Sequence, residues 1–188
     1  YPSTIGHEIC GIIEKVGANV LGYEVGEHVA VANVIPCHHC AMCLTGHENA
    51  CMERQAIGYE FDGGFEEYLR IPKVCIESQN VIKLPESIPF EEGSLIEPLA
   101  CCLHGQKNAG VRMDDVVLIE GAGPIGLIHL LLAKIAGARK VIVSEPNEYR
   151  RTKAKELGAE VVLDPMKEKL EDVVKRETDG LGADVVIL

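Results

Sequence analysis

The sequence predicts a strand-rich, irregular barrel or sandwich followed by an α/β unit built on a parallel sheet. Three observations carry that reading. Residues 1 to about 90 hold short β-branched or aromatic segments, separated by clusters of glycine, asparagine, aspartate and proline. Beyond about 110, apolar runs of strand length alternate with segments of helix length, the pattern of βαβ units. A glycine-rich turn, Gly121-Ala122-Gly123-Pro124-Ile125-Gly126, stands between the first of those strands and its helix.

In order along the chain, strands are expected at 9–16, 29–35, 64–71 and 74–76, with turns at Gly17-Ala18-Asn19, Gly22, Gly26, Asp62-Gly63-Gly64 and Pro72. Pro89-Phe90-Glu91-Glu92-Gly93 opens a helical stretch that runs to about Ala109, where Gly110 can end it. Strands at 116–120, 141–144, 161–163 and 184–188 then alternate with helices at 124–136, 148–157 and 167–178. A domain boundary near 110 follows, giving units 1–110 and 111–188. The chain ends on Val185-Val186-Ile187-Leu188, which reads as a strand cut short, so a piece of a longer protein is expected.

Composition excludes several classes. With 18 basic against 29 acidic residues the net charge is −11, and no basic run is present to meet a phosphate backbone, so no nucleic-acid partner is expected. The longest apolar runs fall far short of a membrane span, so none is expected. Eight cysteines without a secretory segment fit a reducing cytoplasm.

Four of those cysteines, Cys37, Cys40, Cys43 and Cys51, lie within fifteen residues at intervals of three, three and eight. Two-residue gaps let a tight turn bring successive sulfurs to one ion, and zinc favours four thiolates in a closed structural site. Disulfides suit a secreted domain rather than this chain. An iron–sulfur cluster is the rival for a C-x2-C-x2-C run, and the missing Cys-Pro ending weighs against it.

The glycine turn has the spacing of a dinucleotide site. Gly121 makes the tight turn, Gly123 lets a pyrophosphate approach the backbone, and Gly126 allows close helix–strand packing. Pro124 suits the first helical turn, and Ile125 completes the loop, whose helix N-terminus offers free N–H groups to phosphate. Glu145 follows the second strand, where an acid accepts hydrogen bonds from both ribose hydroxyls of NAD and repels the extra phosphate of NADP. NAD is therefore the expected cofactor. Arg150 joins the cofactor-binding candidates because an arginine there can meet that phosphate; as a charge run, Arg150 and Arg151 are expected on a solvated helix face.

Gly6-His7-Glu8 and Glu97-Pro98 are unremarkable singly. On a regular strand His7 and Glu8 would face opposite ways, so both reach one ion only if the backbone bulges there or Glu8 acts from behind the ligands rather than as one of them.

Taken together, these pieces resemble the zinc-containing medium-chain dehydrogenase/reductase family over nearly all 188 residues. The resemblance rests on Gly6-His7-Glu8, the four spaced thiols, Gly22-Tyr23-Glu24-Val25-Gly26-Glu27-His28-Val29, Gly63-Gly64-Phe65-Glu66-Glu67-Tyr68 and Gly121 to Gly126. Glu97-Pro98-Leu99-Ala100 is similar to the branch of sorbitol, polyol and threonine dehydrogenases. The resemblance implies a GroES-like catalytic domain followed by a Rossmann domain, with an active site in the cleft between them. It implies one structural zinc on the four thiols and one catalytic zinc, with His7 as ligand and Glu8 and Glu97 as direct or water-mediated ligands. It implies hydride transfer from the secondary hydroxyl of a small polyol or sugar-derived alcohol to NAD, in a homotetramer. An L-threonine 3-dehydrogenase-like activity is the runner-up, placed second because Ala100-Cys101-Cys102-Leu103-His104-Gly105 looks less like that branch. A non-catalytic nucleotide- or zinc-binding relative is the alternative from another class. The family's first catalytic ligand is a cysteine upstream of Gly-His-Glu, before Tyr1, so this chain by itself is expected to lack turnover.

Overall fold

The computed structural model describes residues 4–188. It divides into two compact units, Tyr1–Glu97 and Pro98–Leu188. The division falls just inside the helix Ile96–Ala109, whereas the sequence places the boundary at that helix's far end.

The first unit is built from short strands. β1 (Ile9–Ile12), β2 (His28–Val31) and β5 (Val81–Lys83) form an antiparallel sheet in the order β1-β2-β5, and β3 (Val34–Ile35) pairs with β4 (Gln55–Ala56). Val31, Ile35, Ile57 and Cys75 are buried together, with Ile9, Phe61 and Leu69 against them. The corner between β2 and β3 is closed by Asn80. This side chain is buried, and its Nδ2 donates to the carbonyls of Ala32 at 2.7 Å and Val34 at 2.6 Å. Backbone carbonyls that leave a ladder need such a partner, because a buried unpaired one is costly.

Two expected strands are absent. Residues 74–76 lie in a short helix, α2 (Lys73–Glu77), that turns Cys75 into the core. A run of three apolar residues does not distinguish strand from helix by period. Pro72 precedes the helix, and the Lys73–Glu77 pair at 2.9 Å spans one turn of it. Residues 64–71 form no strand because their leading N–H groups are already engaged. The N–H groups of Gly63, Gly64 and Phe65 donate to the carbonyls of Thr4, Gly6 and Ile5 at 2.7, 2.9 and 3.0 Å. Two further short helices lie here: α1 (Ala41–Leu44) in the cysteine segment and α3 (Phe90–Gly93) before the connector helix α4 (Ile96–Ala109).

The second unit follows the expected alternation closely: β6 (Val116–Glu120), α5 (Pro124–Ile135), β7 (Lys140–Ser144), α6 (Glu148–Glu156), β8 (Val161–Leu163), α7 (Leu170–Glu177) and β9 (Val185–Ile187). All pairings are parallel, in the order β8-β7-β6-β9. Numbered within the unit this is 3-2-1-4, the order of a Rossmann sheet. The two-residue period of β6 sends Val117 and Ile119 to one face, with Leu130, Ala133 and Ala154. Val116 and Leu118 go to the other, with Val173 and Val174. A parallel sheet covered on both faces reads as a continuous apolar run for this reason.

Leu130 is fully buried while its neighbour Leu131 is 41% exposed. Leu130→Ala is expected to cost about 2–5 kcal/mol, and Leu131→Ala within about 0.5 kcal/mol, in urea denaturation of the chain. Equal losses would contradict the helix face assigned here.

Candidate functional site

The four thiols converge. The turn of α1 places Cys40 and Cys43 on one side, and a 3-10 turn, Glu48–Ala50, brings Cys51 back. Sulfurs lie 3.5 Å apart for Cys40–Cys43 and 3.9 Å for both Cys37–Cys43 and Cys40–Cys51. All four are within 4.8 Å of one another. Zinc–sulfur bonds of about 2.3 Å set a tetrahedron with an edge of about 3.8 Å, so the donor set fits a closed zinc site.

Backbone amides prepare it. Cys37 N–H donates to Cys51 Sγ, and Cys40 N–H to Cys37 Sγ, each at 3.3 Å. Backbone hydrogen bonds from Cys43 and Met52 lower the Cys40 thiol to about 6, while burial pushes Cys43 up to about 12. His38, which follows Cys37 in the lobe, turns away from the sulfurs. Its Nδ1 meets Glu48 at 3.0 Å and its Nε2 meets Ser78 at 2.9 Å.

His7, Glu8 and Glu97 also come together, each offering a ligand atom within 4.8 Å of the others. The conflict between strand alternation and a shared ion does not arise, because β1 begins only at Ile9 and Gly6 has φ +101°. Its partner segment packs too closely for side chains. A Cβ on Gly63 would stand 2.3 Å from the Gly6 carbonyl oxygen, and one on Gly58 2.8 Å from it. The His7 ring lies 5.6 Å from the ring of Tyr59. Sequence reading took Gly63 as a turn signal and as part of a family-like motif, without its packing on Gly6, and Tyr59 carried no signal at all. Three donors of mixed nitrogen and oxygen, partly open to solvent, form the kind of set that holds zinc with a position left for substrate.

In the second unit the glycine turn is set as its spacing requires. Gly121 has φ +99°. A Cβ on Gly126 would lie 2.0 Å from the Gly121 carbonyl oxygen, and one on Gly123 would meet nothing within 4 Å. The open face at Gly123 is where a pyrophosphate can approach. Pro124 and Ile125 begin α5, with Gly123 at its cap.

Glu145 is buried beside this turn. Its Oε2 accepts from Ala122 N–H and its Oε1 from Asn147 N–H, each at 2.8 Å. Burial raises its pKa, but those two amides, with Arg150 and Arg151, outweigh it and hold the carboxyl below its usual value. Arg150 Nη1 lies 3.9 Å from Glu145 and is exposed. Arg151 departs from the solvated face expected for it. It donates to the carbonyls of Glu145 at 2.8 Å and Pro146 at 2.6 Å, and pairs with Asp164 at 3.3 Å.

An irregular β unit carrying a four-thiol lobe stands in one chain with an α/β unit of dinucleotide-binding type. The family of the alcohol dehydrogenase GroES-like domain matches residues 1–86, and that of the zinc-binding dehydrogenases matches residues 124–188. An L-threonine 3-dehydrogenase of Pyrococcus furiosus is 41% identical over 99% of this chain and 52% of its own length. The structure of galactitol-1-phosphate dehydrogenase from Escherichia coli aligns with a TM-score of 0.84 at 34% identity, over 94% of this chain and 50% of that one. A structure from Sinorhizobium meliloti, described as a zinc-binding dehydrogenase bound to NADP, aligns at 0.84 and 37% identity over 93% and 48%. The chain belongs to the zinc-containing medium-chain dehydrogenase/reductase family. It spans about half the length of the relatives it matches.

A carboxyl whose folded pKa lies below its unfolded value stabilises the fold above the unfolded pKa, and that contribution is lost as pH falls through the folded value. Glu145→Gln is therefore expected to cost about 1.5–3 kcal/mol at neutral pH, the scale of hydrogen bonds to a charged group. The gap to wild type should close as pH drops below the ordinary carboxylate range, read as urea midpoints at neutral and acid pH. A constant gap would mean that the charge contributes nothing.

Proposed function

We propose that the protein is a zinc- and NAD-dependent dehydrogenase that removes hydride from a secondary hydroxyl of a small molecule. The convergence of His7, Glu8 and Glu97 carries this reading, because a binding protein or a purely structural metal needs no open donor set. Zinc bound there would supply Lewis-acid polarisation of a hydroxyl oxygen. The chain's own residues do the remainder. The Gly6 turn and the glycines opposite it hold His7 in place, and the carboxylates of Glu8 and Glu97 complete the donor set or reach it through water. The four thiols fasten the lobe as a structural zinc site.

On the cofactor side, Gly121, Gly123, Pro124, Ile125 and Gly126 present the pyrophosphate site, and Glu145 accepts from the ribose hydroxyls. The preference for NAD rests on Glu145, whose carboxylate is ionised and backed by two amides. Arg150, exposed and close to that acid, is the residue best placed to meet a phosphate instead. The NADP held by the Sinorhizobium meliloti protein makes this choice worth testing directly. In the protein at its full natural length, Glu145→Ser is expected to raise the KM for NAD by about 10–100-fold, the loss of charged hydrogen bonds, while that for NADP stays level or falls. A fall in affinity for both alike would remove Glu145 from cofactor selection.

For the substrate, the carboxylate-rich donor set and the galactitol-1-phosphate relative support a polyol. The L-threonine 3-dehydrogenase similarity supports a hydroxy-amino acid at least as well, so the ranking made from the sequence does not stand. We extend the reading to a cytoplasmic homotetramer. No helix among the described residues is long and apolar enough to cross a membrane. NAD reduction by the protein at its full natural length, with sorbitol, galactitol and L-threonine compared as kcat/KM, decides between substrates. No turnover with any secondary alcohol, with zinc present, would sink the proposal.

A further inference from the structure

A second donor cluster shares one thiol with the lobe. The ligand atoms of Cys37, His39 and Glu53 lie within 4.8 Å of one another, and His39 Nε2 is 3.3 Å from Glu53 Oε2. The other ring nitrogen is already committed, since His39 Nδ1 donates to the carbonyl of Cys37 at 2.7 Å. Nε2 is then the ring nitrogen on the Glu53 side, the one left to face an ion. Metal-binding histidines are oriented in the same way, by a backbone carbonyl on the far nitrogen. The three groups line a cleft of about 460 Å³ together with Ile35, Glu77 and Ser78. His39 and Glu53 are 71% and 64% exposed at their side chains, so an ion reaches them from water.

The inner site differs in every respect that bears on loading. Cys51 is buried and Cys37, Cys40 and Cys43 are partly so, whereas the outer groups stand open to water. His39 and Glu53 offer one nitrogen and one oxygen donor at the surface, a pair that suits a borderline divalent cation.

We propose that His39 and Glu53 form an outer docking site for a borderline divalent cation of the zinc type, and that Cys37 passes the ion from it to the four-thiol lobe. The proposal rests on the reading that the lobe holds zinc. Transfer is ligand exchange without redox change. The bond to Cys37 Sγ forms and is kept, the bonds to His39 and Glu53 break, and bonds to Cys40, Cys43 and Cys51 replace them. The thiol protons leave to water.

The test uses the reduced, chelator-stripped chain and Co²⁺ as probe, with thiolate-to-cobalt charge transfer and tetrahedral d–d bands followed by stopped flow. Glu53→Gln and His39→Ala are expected to reach the wild-type end-point spectrum about tenfold more slowly, the lower end of what an electrostatic capture site contributes to an association rate. Glu53→Asp is expected to recover most of the rate. Equal rates in all four proteins would overturn the docking site and leave the four-thiol reading intact. A variant that stops short of the wild-type end point would also overturn it, because an entry site does not alter the final complex. A wild-type spectrum lacking the four-thiolate signature would overturn the reading of the lobe itself, and the proposal with it.

Discussion

Irregular backbone, held in place without a ladder, is the constraint on which the chemistry of the first unit depends. The Thr4–Gly6 segment carries His7 and Glu8 immediately after it, outside any strand. Three amides of the Gly63–Phe65 stretch hold it from across the fold. Gly58 and Gly63 allow that approach, since a Cβ on either would collide with the Gly6 carbonyl. Because β1 starts only at Ile9, the alternation that would part His7 from Glu8 has not yet begun. Freedom from the strand is therefore what brings a nitrogen and a carboxylate from adjacent residues toward Glu97.

The cysteine lobe solves the same problem by another means. It has one helical turn and one 3-10 turn, too little regular structure to stand alone. His38 straps it, reaching Glu48 within the lobe and Ser78 outside it with its two nitrogens at φ +62°. Sulfurs spaced close to a zinc tetrahedron follow from those straps and from amides aimed at Cys37 and Cys51. A metal there converts a weakly structured loop into a fixed one, which couples binding to folding.

The second unit relies on regularity instead. β6 and β7 are buried on both faces, and the turn after β6 is shaped by contacts that a side chain at Gly126 would break. Glu145 follows β7 directly and bonds back to Ala122 in that turn, so the acid and the glycine turn are parts of one hydrogen-bonded unit. Arg151 ties the same corner to Asp164 beyond β8.

The sequence by itself determined whatever depends on spacing along the chain. The βαβ alternation, the glycine turn with its acid and the four thiols are local patterns, because period and short loops act over a few residues. Tertiary structure decided what depends on partners distant in sequence. Residues 74–76 became a helix because Cys75 had a core to enter, which a three-residue apolar run does not announce. Residues 64–71 gave up a strand because their amides serve a segment some sixty positions away. Arg151 left the solvent for two carbonyls and an aspartate. The pairing of His39 with Glu53, and the approach of Glu97 to His7, also rest on long-range packing, for which no nearby spacing exists to be read.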